Sequence, residues 1–287
     1  MPELPEVETL KLGLQKYLIG HKILDVEIRV PKIFQGDKKN VIGAKVTKID
    51  RVGKGLIVEL SNEFSLAVHL KMTGQLVYSG KETKNVVLSK KTGGDLPSKY
   101  SHVIFTLDDG ATLYFNDLRR FGWIKVVKKN DVYDMPFFKE MGPEPFNNTD
   151  LGQKKLSLDV FRTILSKSGL PIKVLLMDQK KIGGIGNIYA NEALFVARIR
   201  PKRKAKEVKE NEIGKLYEAI FKVIKQGLDF GGSSDENFVN ALGEEGKYQQ
   251  HFLVYGKKGQ SCPGCKGKIE KIMLGGRGTY FCPSCQK

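Results

Sequence analysis

Gln260 to Lys287 reads QSCPGCKGKIEKIMLGGRGTYFCPSCQK, and this stretch carries all four cysteines of a 287-residue chain. The first 261 residues contain none, so Cys262, Cys265, Cys282 and Cys285 share one job. Two C-x2-C pairs with sixteen residues between them have the spacing of a tetrahedral four-thiolate zinc site. The alternatives are two disulfides, which a reducing compartment disfavours, or an iron site on the same ligands. Between the pairs, Lys268 to Leu274 and Thr279 to Phe281 flank Gly275-Gly276-Arg277-Gly278, which is hairpin chemistry with one arginine at the tip. A segment of fewer than about 40 residues buries little core, so one structural zinc ion is expected to supply its folding energy.

Outward from the ribbon, charge is the next constraint. From Gly256 to Lys287 the basic residues Lys257, Lys258, Lys266, Lys268, Lys271, Arg277 and Lys287 face a single acid, Glu270. The whole chain has 48 Lys and Arg against 32 Asp and Glu, a formal charge of +16, which points to a polyanionic partner. Four thiolates on a divalent cation carry net negative charge, so part of the basic ribbon is self-neutralised. No apolar run approaches the roughly 18 residues of a membrane span, and the acidic start Met-Pro-Glu-Leu-Pro-Glu lacks the features of a secretory signal. A cytoplasmic protein, monomeric by default, is expected.

Leu4 to Leu18 places Leu4, Val7, Leu10, Leu14 and Leu18 at helical spacing, so a helix is predicted almost from the first residue. Strand patterning then covers Ile23 to Val30, Val46 to Ile49, Gly55 to Leu60, Ser65 to Leu70, His102 to Leu107, Thr112 to Asn116 and Trp123 to Val127, which predicts a β-sandwich or barrel. Ser79 to Lys99 is polar and lysine-rich and reads as an exposed loop. Helical patterning runs from Ser157 to Gly227, broken at Gly169-Leu170-Pro171 and Ile199-Arg200-Pro201. Within it Gly183-Gly184-Ile185-Gly186 precedes a helix starting near Asn187, read as an asparagine-capped N-terminus able to take a phosphate. A glycine-rich stretch from Gly231 to Lys247 reads as a long mobile loop.

Pro2 permits removal of the initiator methionine, which leaves a secondary amine. With a reference pKa of about 7.7–8.0, an α-amino group is partly unprotonated near neutral pH and can attack an aldehyde-like carbon. Glu3 lies beside it and Glu6 one helical turn on, and two carboxylates near one amine can divide acid and base roles. The plain alternative is a proline-started helix whose acids complement its dipole.

The chain resembles the bacterial formamidopyrimidine-DNA glycosylases over essentially its whole length. The residues that carry the resemblance are Pro2-Glu3-Leu4-Pro5-Glu6-Val7-Glu8-Thr9, Gly53-Lys54, His69-Leu70-Lys71-Met72-Thr73-Gly74, Asp117-Leu118-Arg119-Arg120-Phe121-Gly122, Gly184-Ile185-Gly186-Asn187-Ile188-Tyr189-Ala190-Asn191-Glu192 and the closing Cys282-Pro283-Ser284-Cys285-Gln286-Lys287. It implies a multidomain α+β fold: an N-terminal helix with a β-sandwich over residues 2–140, a helix-two-turn-helix domain over 141–249, and a zinc-finger β-hairpin over 250–287. Damaged duplex DNA would lie between the two large domains.

The resemblance also implies roles. Pro2 would attack the sugar of an extruded oxidised purine, with Glu3 as acid and Glu6 nearby. Lys54 would contact the phosphate beside the lesion, and Arg277 a phosphate and the elimination step. His69 and Asn187 resemble phosphate clamps; His102, Lys167 and Lys173 are weaker backbone contacts, with Ser168 an alternative to Lys167. Met72 would fill the vacated space, Phe121 wedge a base step and Arg119 pair with the orphaned base. Arg120 and Tyr255 complete the expected DNA contacts, the loop 233–248 would cover the extruded base, and no catalytic metal or redox cofactor is implied. Lys71 and the long Ser79 to Lys99 segment depart from the usual pattern. Two rivals stand beside this reading: the sister endonuclease VIII family, which prefers oxidised pyrimidines and starts Pro-Glu-Gly-Pro-Glu, and a silent protein that only recognises damaged DNA.

Overall fold

The computed structural model describes residues 1–146 and 155–287. They form two compact units that do not follow the three sequence segments. The first comprises Met1–Lys139 and Gly227–Gln249; the second comprises Glu140–Gln226 and Gln250–Lys287, so the zinc ribbon groups with the helices.

Helix α1 (Leu4–Leu18) occupies the predicted stretch. Its apolar stripe Val7, Leu10, Leu14 and Leu18 enters the core of the first unit. Nine strands follow: β1 (Ile23–Ile28), β2 (Phe34–Gln35), β3 (Val46–Val52), β4 (Gly55–Leu60), β5 (Phe64–His69), β6 (Gly74–Ser79), β7 (Ser101–Leu107), β8 (Thr112–Asp117) and β9 (Trp123–Lys128). They make a four-stranded sheet, β1-β7-β8-β6, and a five-stranded sheet, β2-β9-β5-β4-β3. Side chains from both sheets, among them Leu56, Val68, Ile124, Val103, Phe105 and Phe115, share one buried cluster, which is the expected sandwich.

Two strands are absent from the sequence reading. Strand β2 is a two-residue parallel pairing onto β9. Strand β6 is buried along almost its whole length, including Gln75, so it shows no polar–apolar alternation to detect. The segment after it also differs from expectation. It is not simply an exposed loop, because Thr92 and Ser98 are buried and it folds through two short turns, Lys81–Thr83 and Lys90–Thr92.

In the second unit, short α2 (Pro136–Lys139) having closed the first, α3 (Leu158–Ser166) starts where Ser157 accepts the Val160 N–H at 3.2 Å. Helices α4 (Ile172–Met177) and α5 (Asn187–Val196) follow, and α6 (Glu210–Asp229) continues into residues of the first unit. The ribbon is the antiparallel hairpin β10 (Glu270–Leu274) and β11 (Arg277–Phe281). Its two-residue turn, Gly275-Gly276, has φ of +56° and +71°. Positive φ at both positions matches the twist of a tight hairpin and needs glycine. Among the described residues, no helix is long and apolar enough to cross a membrane.

Candidate active site and DNA-contact residues

Pro2 is buried immediately before α1. Glu3, 3% exposed, is the N-cap, and its backbone N–H donates to Glu6 Oε2 at 2.8 Å, the return half of a capping box. The other oxygen of Glu6 accepts the Ser233 N–H at 2.8 Å. Both Glu6 oxygens are thus engaged by main-chain donors, so Glu6 fixes the start of α1 and the chain at Ser233 rather than standing ready to shuttle a proton. Gly232, at φ +82°, makes that approach possible: a Cβ there would meet Glu6 Cγ at 3.1 Å and Phe238 at 2.9 Å.

Lys54 is 4% exposed on the turn between β3 and β4. Below it lies a network that the sequence reading missed. Arg51 donates from Nε to Glu8 Oε2 at 2.8 Å and from Nη1 to Gly53 O at 2.9 Å, while Lys11 Nζ reaches Glu8 Oε1 at 2.5 Å. The turn carrying Lys54 is therefore tied to the helix carrying Glu3. Burial pushes the Glu8 carboxyl up, but Arg51 and Lys11 outweigh it and hold it below the usual carboxylate range.

His69, at the end of β5, is 5% exposed and packs edge-on against Phe137 with ring centroids 4.7 Å apart. Burial, reinforced by Lys71 and Lys54, pushes its pKa down to about 3. Its Nδ1 accepts the Lys71 N–H at 2.8 Å, which places the proton of the neutral ring on Nε2. His69 can offer a phosphate one neutral donor, not a positive charge. The linkage has a definite sign. The unfolded histidine takes up a proton below about 6.5 and the folded one does not. Stability is therefore unaffected above that pH and falls by about 1.4 kcal/mol per unit between 6.5 and the folded value. The His69 imidazole resonances are expected to show no inflection between pH 8 and 5, and His69→Gln should flatten the stability profile below pH 6.5.

The loops that bear Met72, Arg119 and Phe121 hang on one buried carboxylate. Asp117, 0% exposed, accepts from Thr73 Oγ1 at 2.5 Å, from the Arg119 N–H at 3.1 Å and from the Gly122 N–H at 2.7 Å. Thr73 Oγ1 also accepts the Arg119 N–H at 2.9 Å. This joins the turn bearing Met72 to the loop bearing Arg119, Arg120 and Phe121. Phe121 is 52% exposed, and the Arg119 guanidinium stacks 4.8 Å above its ring. Arg120 is exposed with φ of +57°. A large aromatic left in solvent on a braced loop is what a wedge needs. His102, by contrast, is 2% exposed, and its Nε2 donates to Asp117 O at 2.8 Å, so it serves the sheet rather than presenting itself to a phosphate.

In the second unit two expectations are corrected. The cap of α5 is Gly186, not Asn187. Asn187 Oδ1 accepts instead from Lys173 Nζ at 2.6 Å. Lys173 itself is 0% exposed and also donates to Gly278 O at 3.1 Å and Thr279 Oγ1 at 2.8 Å, so its ammonium ties α5 to the hairpin instead of meeting DNA. Asn191 adds a second tie, accepting the Tyr280 N–H at 2.7 Å. Glu192, fully buried, accepts the N–H groups of Leu253, Val254 and Tyr255 at 2.7–3.0 Å and anchors the approach to the ribbon. Burial pushes its carboxyl above the ordinary range despite those donors. Tyr255 packs 5.2 Å from the Tyr280 ring. Lys167 and Arg277 are exposed, Arg277 as the first residue of β11.

The four cysteine sulfurs lie within 4.8 Å of one another, with Cys262–Cys285 at 3.7 Å and Cys265–Cys282 at 3.5 Å. A tetrahedron with Zn–S bonds of about 2.3 Å has edges of about 3.8 Å, so the donor set fits one structural zinc ion. Cys265 is exposed, so Cys265→Ser removes a ligand without opening a core. That variant, or a chelator, is expected to release the metal, unfold the hairpin and weaken duplex binding on the order of tenfold or more, checked by zinc content and titration of DNA.

The fold is that of a DNA glycosylase with a zinc-finger ribbon. The Lactococcus lactis Fpg structure in complex with DNA containing an abasic site matches with a TM-score of 0.86 and 33% identity over 99% of each chain. The wild-type form of the same protein with DNA containing N7-benzyl-Fapy-dG gives 0.86 and 33% over 100% of each. Residues 1–124 match the formamidopyrimidine-DNA glycosylase N-terminal domain, 141–238 its H2TH domain, and 259–287 the zinc finger found in FPG and IleRS. Formamidopyrimidine-DNA glycosylases of Pelotomaculum thermopropionicum and Streptococcus mutans are 39% and 38% identical over 100% of this chain and 99% and 100% of theirs. The chain belongs to the formamidopyrimidine-DNA glycosylase family.

Proposed function

We propose that this protein excises oxidised purines from duplex DNA and then cleaves the strand, with the amine of Pro2 as nucleophile. The observation that carries this reading is the placement of Pro2 and Glu3 at the buried start of α1, with Lys54 on a turn tied to the same helix through Arg51 and Glu8. A nucleophile and an acid on rigid elements are held in attack geometry at little further entropic cost.

The steps follow from that placement. The lone pair of the Pro2 nitrogen adds to the sugar C1′ as the C1′–N bond to the damaged base breaks, and Glu3 delivers the proton that the departing purine needs. Glu3 then takes the proton of the Pro2 ammonium and passes it to O4′ as the C1′–O4′ bond opens, which leaves a C1′=N iminium. The resulting iminium draws electrons from C2′, so a C2′ proton is lost and the 3′ phosphate leaves; a second elimination releases the 5′ phosphate. Lys54 and the Nε2–H of His69 hold the neighbouring phosphate, and Arg277 supplies a further phosphate contact and assists elimination. Asn187 assists from α5. Met72, Arg119 and Phe121 occupy and read the space the extruded base leaves. The four thiolates hold zinc in a reducing cytoplasm.

Borohydride trapping separates the readings. Reduction of the iminium on a duplex containing 8-oxoguanine should give a covalent adduct that maps to the N-terminal peptide. Stronger capture on a thymine glycol duplex would favour the endonuclease VIII reading; one relative has been crystallised with oxidised-pyrimidine DNA, so that arm belongs in the assay. Binding without capture on either duplex would sink the enzymatic assignment.

A further inference from the structure

We propose that the segment Ser79 to Lys99 is a brace for the loop 233–248, with Lys91 as its positioning residue, and that this brace sets how efficiently the protein acts on sites that still carry a base. The inference rests on the reading that the loop covers an extruded base. Both segments lie in the first unit, and their contacts are specific. The Ser89 N–H donates to Gly243 O at 2.9 Å and its hydroxyl to Glu245 Oε1 at 2.6 Å. Lys91 Nζ reaches Glu245 Oε2 at 2.8 Å and also donates to the Ser234 carbonyl. Gln75 Nε2 donates to both Lys91 O, at 3.0 Å, and Asn237 O, at 2.7 Å, which clamps brace and loop to β6. Leu88 packs so close to Gly243 that a Cβ there would lie 2.5 Å from its Cδ2.

An exposed ion pair alone does little. Here the ammonium is shared between a carboxylate and a main-chain carbonyl, and Ser89 holds the other carboxylate oxygen, so the loop is gripped at residues 234, 237, 243 and 245. The hydrogen bonds from Lys91 and Ser89 keep the Glu245 carboxyl below its ordinary range, so the grip persists at neutral pH. The loop's near end is held from another side, by Glu6 on the Ser233 N–H. The same Glu6 caps the helix that begins at Glu3. Brace, loop and catalytic helix thus form one connected chain of contacts. Lys90, Lys91 and Thr92 of the brace line, together with Gln75, Asn116 and Asn237, an open pocket of about 340 Å³. Among the described residues, none of 79–99 belongs to the buried apolar cluster of the sandwich, so cutting the ties loosens the loop without opening that core.

An abasic site has no base for the loop to cover, and this gives the test. In single-turnover assays, Ser89→Ala combined with Lys91→Ala should slow release of 8-oxoguanine about tenfold, chiefly in the limiting rate and not in half-saturation. Cleavage of a preformed abasic site should stay within about twofold. Lys91→Arg should restore base release, and hydrogen exchange of the 233–248 amides should accelerate in the double variant and return with arginine. Unchanged base release, or an equal fall on both substrates, overturns the proposal, as does unchanged exchange. If the unaltered chain processes neither substrate, the functional reading fails, while the exchange measurement still decides whether the brace exists.

Discussion

Chains that keep Met1 are expected to release no damaged base and cut no abasic site, a loss of at least about 10³-fold against chains that begin at Pro2. An amide nitrogen has given its lone pair to the carbonyl and cannot add to a sugar carbon. The structure makes this a clean comparison. It contains Met1, whose ammonium pairs with Glu236 at 2.7 Å, and α1 still starts at Leu4 with its capping contacts intact. The contacts that cap α1 use Glu3, Glu6 and Ser233 and not Met1, so the two populations should share one urea midpoint and a difference in activity then reports chemistry alone. The Met1–Glu236 pair is largely exposed, so losing it on processing costs little. Mass spectrometry sorts the two populations, and borohydride capture should follow only the processed one. Pro2→Ala, which leaves a primary amine after processing, should retain measurable capture. Base release at the full rate by the Met1-bearing chain would remove Pro2 from the mechanism.

Periodic features are the legible ones. Five leucines and valines at helical spacing define α1, and cysteine spacing defines the ribbon, because each is a local pattern with one physical cause. Polar residues doing buried work leave no such trace. Asp117 organises the loop that carries Arg119 and Phe121, yet in sequence it is one acid before two arginines. Lys173 reads as a basic residue in a basic protein, and only the fold shows it buried against Asn187 and Thr279. His69 reads as a candidate clamp, but its charge state depends on Phe137, Lys54 and Lys71 packing around it, which no local window contains. The 79–99 segment reads as a solvated loop because its partners lie about 150 residues further on.

The second large effect concerns Arg51, which is 1% exposed and whose guanidinium joins Glu8 to the Lys54 turn. Arg51→Met is expected to lower unfolding free energy by about 3–5 kcal/mol, because it takes from the buried Glu8 carboxylate the larger of its two cationic partners. Glu8→Leu takes from Arg51 and Lys11 the carboxylate they share and should cost a similar amount. Combining the two with Lys11→Met removes all three charges of the network from the interior and fills the space with apolar groups, so the combined variant should be more stable than either single one. Stability and activity should then part. The combined variant recovers its urea midpoint but not its rate of base release, since Gly53 O no longer has the guanidinium that fixes the turn under Lys54. Acid adds an independent check. In the unaltered chain Glu8 is held below the usual carboxylate range, so its contribution is complete above about pH 4.5 and is lost as pH falls through the lower folded value. The combined variant should lack that acid-dependent loss. If its rate of base release recovered together with its stability, Arg51 would be a structural ion pair and nothing more, and the positioning of Lys54 would have to come from elsewhere in the β3–β4 turn.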